Sequence, residues 1–274
     1  MTESFTGTWT ALVASLRALP VGARVWIVVG TAALIVALAT LAPPVLQDEG
    51  YHDFAPTALF GVADFGIVTS NGAFLVVGIW GLWRLGFRRL APWPFAGPGE
   101  HWPYLVFFLG VALVALGSGY YHAGPSTETL LWDRLAMTVV FMALLAAFIA
   151  DRIHLGVGVG VALPLLLALG ALSMATWRVT DDLRLYHIVQ ALPILLAPMI
   201  CLLFPGRVTR VKYLAWMVFW FALATFCDLF DKTIHGWIGF GGHAIKHLLA
   251  AIACAAILAM LQDAGRRSNA ASNP

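Results

Sequence analysis

LGVGVGVALPLLLALGALSMA, residues 155–175, is a run of twenty-one positions without one charged side chain. Coiled as an α-helix it rises about 32 Å, close to the roughly 30 Å hydrocarbon core of a bilayer. Only Asp151-Arg152-Ile153-His154 divides it from a second apolar run, Leu135–Ala150, which reads as a tight turn between antiparallel neighbours. Working outward, six more runs satisfy the same length rule: Val25–Leu46, Asp64–Trp83, Pro103–Tyr120, Ile188–Phe204, Tyr213–Phe230 and Gly239–Leu261. The sequence predicts an all-α transmembrane protein of eight spans, with ends placed to within about 2–4 residues.

Composition agrees. The 274 residues are 61% hydrophobic and 11% charged, with a mean hydropathy of +0.85. A soluble domain carries about 25% charged residues, so a water-soluble globule is excluded, and a chain this apolar does not stay solvated as a disordered one. The net charge of +2 excludes a nucleic-acid binder built on a basic face. Cys201, Cys227 and Cys254 are odd in number and lack paired spacing, which fits neither a disulfide framework nor a cysteine zinc site. The stretch Met1–Arg24 is polar and mixed, and the first apolar run follows it directly, so that run reads as a retained membrane helix.

Cytoplasmic loops retain Lys and Arg. One alternate set of connecting segments holds Arg17, Arg24, Arg84, Arg88, Arg89, Arg152, Arg207, Arg210, Lys212, Arg266 and Arg267, and the other only Arg134, Arg178, Arg184 and Lys232. Eleven against four, alternating with the eight spans, predicts that both termini are cytoplasmic.

Polar residues at membrane depth are costly and point to function. Three clusters fall toward the outer side. Gly-Ser-Gly-Tyr-Tyr-His ends span three and puts Ser118 and His122 four apart, on one helix face. Trp132-Asp133-Arg134 follows across a short loop, at the start of span four, and Gly-Gly-His-Ala-Ile-Lys-His opens span eight with His243 and His247, again four apart. Two imidazoles at i and i+4 can bind one metal ion, and a third from another helix leaves a tetrahedral zinc one open position for water, the catalytic pattern. Zinc lowers the pKa of such a water to about 7. Asp133 is suited to hold or deprotonate that water, and Ser118 to donate to a developing oxyanion. The bland readings stand beside this one. A single His at a helix end is most often a hydrogen-bonded interfacial residue, and His-x3-His also serves haem ligation or a proton path. Asp133 alone could pair with Arg134 or cap its helix, and Ser118 alone fits small-residue packing. Asp228 and Asp231, one turn apart at the end of span seven, are placed to line the entrance or to back the histidines.

Ser-x3-His, an Asp eleven residues after that His, and a late His-x3-His together resemble the alkaline ceramidase family. That family belongs to a wider group of seven-helix membrane hydrolases that includes the progestin/adipoQ receptors. Ala-Asp-Phe-Gly-Ile-Val-Thr-Ser-Asn, residues 63–71, resembles the signature at the start of the first core helix, with Asp64 in the acidic position; Leu-Trp-Asp-Arg-Leu-Ala-Met-Thr resembles the bacterial branch. The resemblance implies a seven-helix domain over residues 51–262, preceded by an N-terminal segment (1–50) with one extra span and followed by a mobile cytoplasmic tail (263–274). It also implies zinc held by His122, His243 and His247, with Ser118 and Asp133 catalytic. The implied reaction is hydrolysis of the amide of ceramide-like lipids to a sphingoid base and a fatty acid, in a bacterial inner membrane with the site toward the outer side. The chain departs from the eukaryotic members near Asp53 and Asp64, which have few carboxylates around them. Calcium wants six to eight oxygens, so a calcium site there is doubtful; Asp53, Asp64 and Asp228 remain candidates for a supporting or calcium-like site. The competing functions are a metal-binding receptor or transport-type protein with a non-catalytic site, and an acyl-ester lipase using the same residues.

Overall fold

The structure, a computed structural model, describes residues 11–58, 60 and 64–272. Ala63 of the resemblance motif, the first ten residues of the polar N-terminal stretch and the last two of the tail lie outside the described residues. Among these there is no strand, and eight helical stretches are long and apolar enough to cross a membrane. The predicted span count holds.

The main helices are α1 (Val21–Leu41), α2 (Phe65–Ser70) and α3 (Gly72–Gly86), α4 (Trp102–Ala123), α5 (Thr127–Arg152), α6 (Leu163–Thr180, entered through a helical turn at Leu155–Val157 and a π-helical turn at Gly158–Ala162), α7 (Arg184–Leu203), α8 (Val211–Leu229), a short α9 (Asp231–Ile238) and α10 (Gly242–Ser272). Several ends differ from expectation because caps and polar turns extend helices beyond their apolar stretch. Thr127 opens α5 because Ser126 and Thr129 cap each other's backbone, at 3.2 and 3.0 Å. Asp133, expected at the start of span four, therefore sits in the second turn of α5. Pro103 stands at the start of α4, where its missing N–H costs nothing. The apolar stretch of span two is broken at Asn71, whose buried side-chain amide donates to Ile67 O at 3.0 Å and separates α2 from α3. At the far end α10 continues past Leu261 as helix through Ser272, where a tail was expected; Asp263 pairs there with Arg267 one turn on and with Lys212 of α8.

α5 is the most buried span, and α4, α6 and α7 pack around it. Its Ala143, Ala146 and Ala147 are buried, small residues that let helix backbones approach closely where no water drives association. Outward-facing Trp80, Trp83, Leu116, Leu165, Trp216 and Phe219 are exposed, as a bilayer solvent requires.

α1 is almost wholly exposed and packs mainly on α7, with Val28 buried in a cluster shared with α5 and α7. Arg17 and Arg24 donate to the terminal carbonyls of α7, at Cys201, Leu202 and Leu203. In return Arg184, at the start of α7, donates to Thr40 O and Ala42 O. The C-terminal carbonyls of α7 are thus satisfied by Arg24 of α1 and by Arg17 just before it, and those of α1 by Arg184 of α7. Asp182 accepts from Arg184 at 2.8 Å, and that bond holds its carboxyl down to about 2. From α1 the chain, residues 42–58, runs back over one end of the bundle.

The opposite end is closed by Asp151 and Arg152. Buried Arg152 donates to Thr209 Oγ1, Thr209 O and Phe204 O, each at 2.6 Å, and Asp151 accepts from the backbone of Arg207, Val208 and Thr209. Together they pin the loop between α7 and α8 to the end of α5. Arg152→Ala leaves buried carbonyls without donors, so an expected loss of about 3–5 kcal/mol is read as a lowered melting temperature in detergent. Arg152 lies roughly 37 Å along α5 from Thr127, so metal content of the folded variant is expected to match the parent.

Candidate metal centre

Three imidazoles meet at the end of the bundle opposite Arg152. His122 comes from the last turn of α4, and His243 and His247 from the first two turns of α10. Their ring centroids form a near-equilateral triangle of 4.8, 5.1 and 4.8 Å. All three are buried, between 4 and 5% exposed. One ring nitrogen from each lies within 4.8 Å of the others, a group that could hold a metal ion. Nitrogens around a tetrahedral zinc stand about 3.4 Å apart, so ring rotations that draw them together by at most about 1.4 Å close the group.

Hydrogen bonding has already assigned one nitrogen on two of the rings. His243 Nδ1 lies 2.6 Å from Asp228 Oδ1, and His247 Nδ1 lies 2.8 Å from Ser70 Oγ. Both leave Nε2 for another partner, the arrangement by which outer groups orient metal-binding histidines. His122 has no hydrogen-bond partner at either nitrogen among the described residues. A buried polar atom without a partner costs free energy, and a metal ion shared with His243 and His247 would satisfy one of these two nitrogens. The donor set fits: three imidazoles suit zinc and other borderline divalent metals.

Two further groups stand against the histidines. Buried Ser118, one turn before His122, lies close enough to Asp133 for its hydroxyl to act on that carboxyl. Gly117 makes that possible, because α4 and α5 touch there through backbone: a Cβ on Gly117 would lie 2.4 Å from Trp132 O. Arg134 does not pair with Asp133. It turns away to donate to Gln47 Oε1 at 2.7 Å, and sits against the rings of Tyr51, Trp177 and Tyr186.

The strap of residues 42–58 covers the triangle. Phe54 packs its ring 4.8 Å from His122 and 4.4 Å from His243, and His52 Nδ1 lies 2.8 Å from Tyr121 OH. Asp231 fastens the strap to α10, accepting from Ala55 N at 2.7 Å and from His243 N at 2.8 Å. Beside His243 a cavity of about 330 Å³ opens between Tyr51, Phe54, Asp228 and Lys232.

The structure brings together Ser118, His122, Asp133, Asp228, His243 and His247. Asp53 and Asp64 are not part of this group. Asp53 is exposed and pairs with Lys232, and Asp64 is exposed at the start of α2 with no side-chain capping bond. Among the described residues the three histidines form the one cluster of potential metal ligands. Sequence reasoning gave no role to Ser70, Phe54 or Lys246. Ser70-Asn71 was a legible signal, a polar pair inside an apolar run. Phe54 carried none, since an aromatic residue before a span looks like any member of an interfacial belt.

No protein-family model matches the chain, and no curated protein matches it. Fold and site define the class: an all-helical, multi-pass membrane protein with a buried three-histidine group able to hold a metal ion.

Proposed function

We propose that the chain is an integral membrane hydrolase that cleaves the amide bond of ceramide-like lipids, with zinc held by His122, His243 and His247. The observation that carries this reading is the buried imidazole triangle, with Ser118 one turn before His122 and Asp133 beside it. When bound, zinc supplies Lewis acidity and lowers the pKa of a coordinated water to about 7. The protein's own groups then divide the work. Asp228 and Ser70 fix the Nδ1 atoms of His243 and His247, so both rings present Nε2. Asp133 takes a proton from the attacking water and returns it to the amide nitrogen as the C–N bond breaks, leaving a free amine and a carboxylate. Ser118 donates to the carbonyl oxygen as negative charge gathers there. Phe54 keeps bulk water off the rings, where each electrostatic contact is then stronger.

The motif resemblance to alkaline ceramidases supports the amide and the sphingoid product. The distribution of cations supports an inner-membrane protein with both termini cytoplasmic and the site toward the outer leaflet.

The test uses the full-length protein in lipid nanodiscs. Labelled N-acyl sphingoid lipids and phosphatidylcholine are offered side by side, and released fatty acid is measured with and without a chelator. Fatty acid and free amine from the amide lipid, lost on chelation, are the expected result. Release from the ester lipid alone would make the protein an acyl-ester lipase. Stoichiometric metal without release from either lipid would make it a receptor or transport-type protein. Unchanged turnover in Asp133→Ala would overturn the role given to that carboxyl.

A further inference from the structure

Lys246 is the one cation outside the loop count, lying between the two histidines of α10 and one turn from His243. Its ammonium donates to Asp228 Oδ2 at 2.9 Å, while Oδ1 of the same carboxylate lies 2.6 Å from His243 Nδ1. A single carboxylate from α8 thus bridges two residues three apart on α10, which are neighbours on one helix face. The charged and titratable groups facing Lys246 are Asp228, Asp133 and Tyr51, together with the three histidines.

An ammonium so close to a site for a divalent cation is electrostatically unfavourable for the metal. Its position is explained by what it does to Asp228. That carboxylate is about a third exposed, so water can compete for its oxygens and let it turn. With Oδ2 held by Lys246, only Oδ1 is left for His243, and the bridge has one orientation.

We infer that Lys246 is a positioning residue for metal binding, locking Asp228 so that its Oδ1 accepts the His243 Nδ1–H and His243 presents Nε2. The inference rests on the metal-site reading above. Its sign is diagnostic. A cation that acted only through its charge would weaken zinc binding, and its removal would tighten it. A positioning cation does the reverse.

Zinc affinity of the full-length protein in detergent, measured by competition with a chromophoric chelator, separates the two. Lys246→Met is expected to weaken zinc binding about tenfold, and Asp228→Asn by about 10–100-fold. Lys246→Arg is expected to stay within about threefold of the parent, because a guanidinium also donates to Oδ2. In the double variant Lys246→Met/Asp228→Asn, affinity falls no further than in Asp228→Asn, since both act through one carboxylate. Lys246→Gln, which keeps a neutral N–H donor, serves the same comparison should Met disturb α10. Zinc binding equal to or tighter than the parent's in Lys246→Met overturns the inference and leaves the metal site standing. A parent protein that binds no zinc overturns both.

Discussion

His243→Ala is expected to empty the site of metal and to stop lipid cleavage, the largest effect of any single substitution in this protein. Three imidazoles are the whole set of candidate ligands among the described residues, so removing one leaves two nitrogens and a cavity where Nε2 stood. Two neutral donors do not make a closed zinc site. Metal content is expected to fall from about one ion per chain to below about 0.1, measured by atomic emission after gel filtration. Turnover should fall by about a thousandfold or more, because several kcal/mol of Lewis-acid stabilisation go with the ion, at about 1.4 kcal/mol per factor of ten. His122→Ala should lose metal as fully, although its two ring nitrogens have no partner of their own. Its helicity and melting behaviour should be the better preserved of the two, because no hydrogen bond among the described residues is lost with that ring. In His243→Ala, Asp228 keeps Lys246 but loses its imidazole. His154→Ala, in the turn at the opposite end and bonded only to Val157 N, is the control that should change neither metal nor turnover. Full metal content in either ligand variant would mean that the imidazole triangle is not the site.

The spans were legible because hydrocarbon thickness sets a length that apolar runs must reach. Leu155–Ala175 announces itself by that rule alone. The histidines were legible for a related reason: a spacing of four fixes a helix face, and topology fixes a depth, so groups distant in sequence could be expected at one level. What stayed hidden lies where a residue's role depends on which helix passes beside it. Arg152 counts in the sequence as one more cytoplasmic cation, yet it is buried against Thr209 and Phe204. Lys246 reads as a stray charge until α8 brings Asp228 to it. Phe54 gains its place only because α1 and the strap return over the bundle. That Asp133 lies beside Ser118 while Arg134 turns to Gln47 was equally out of reach, since it turns on how close α4 and α5 come.

That approach yields the second large effect, and two glycines of one motif carry it in opposite directions. In Gly-Ser-Gly, residues 117–119, a Cβ on Gly117 would stand 2.4 Å from Trp132 O and 3.1 Å from Asp133 N, whereas a Cβ on Gly119 meets nothing within 4 Å. The obstacle to Gly117 is backbone, which cannot swing aside as a side chain can. In Gly117→Val the helices must part by 1.0 Å to bring 2.4 Å out to an ordinary contact of 3.4 Å. The separation falls between Ser118 and Asp133, and it carries His122, one turn further along α4, away from α10. A misplacement of about 1 Å is enough to cost a hundredfold in rate, and this one moves together the pair proposed to handle the proton and an imidazole of the candidate metal site. Turnover is therefore expected to drop by more than about a hundredfold, with a loss of about 1–3 kcal/mol in stability from overpacking. Gly119→Ala, on the open face of the same helix, should leave turnover unchanged and raise stability by up to about 1 kcal/mol through helix propensity alone. Melting curves and lipid hydrolysis on the two variants side by side decide the matter: equal behaviour would mean that the α4–α5 contact does not set the geometry of the site.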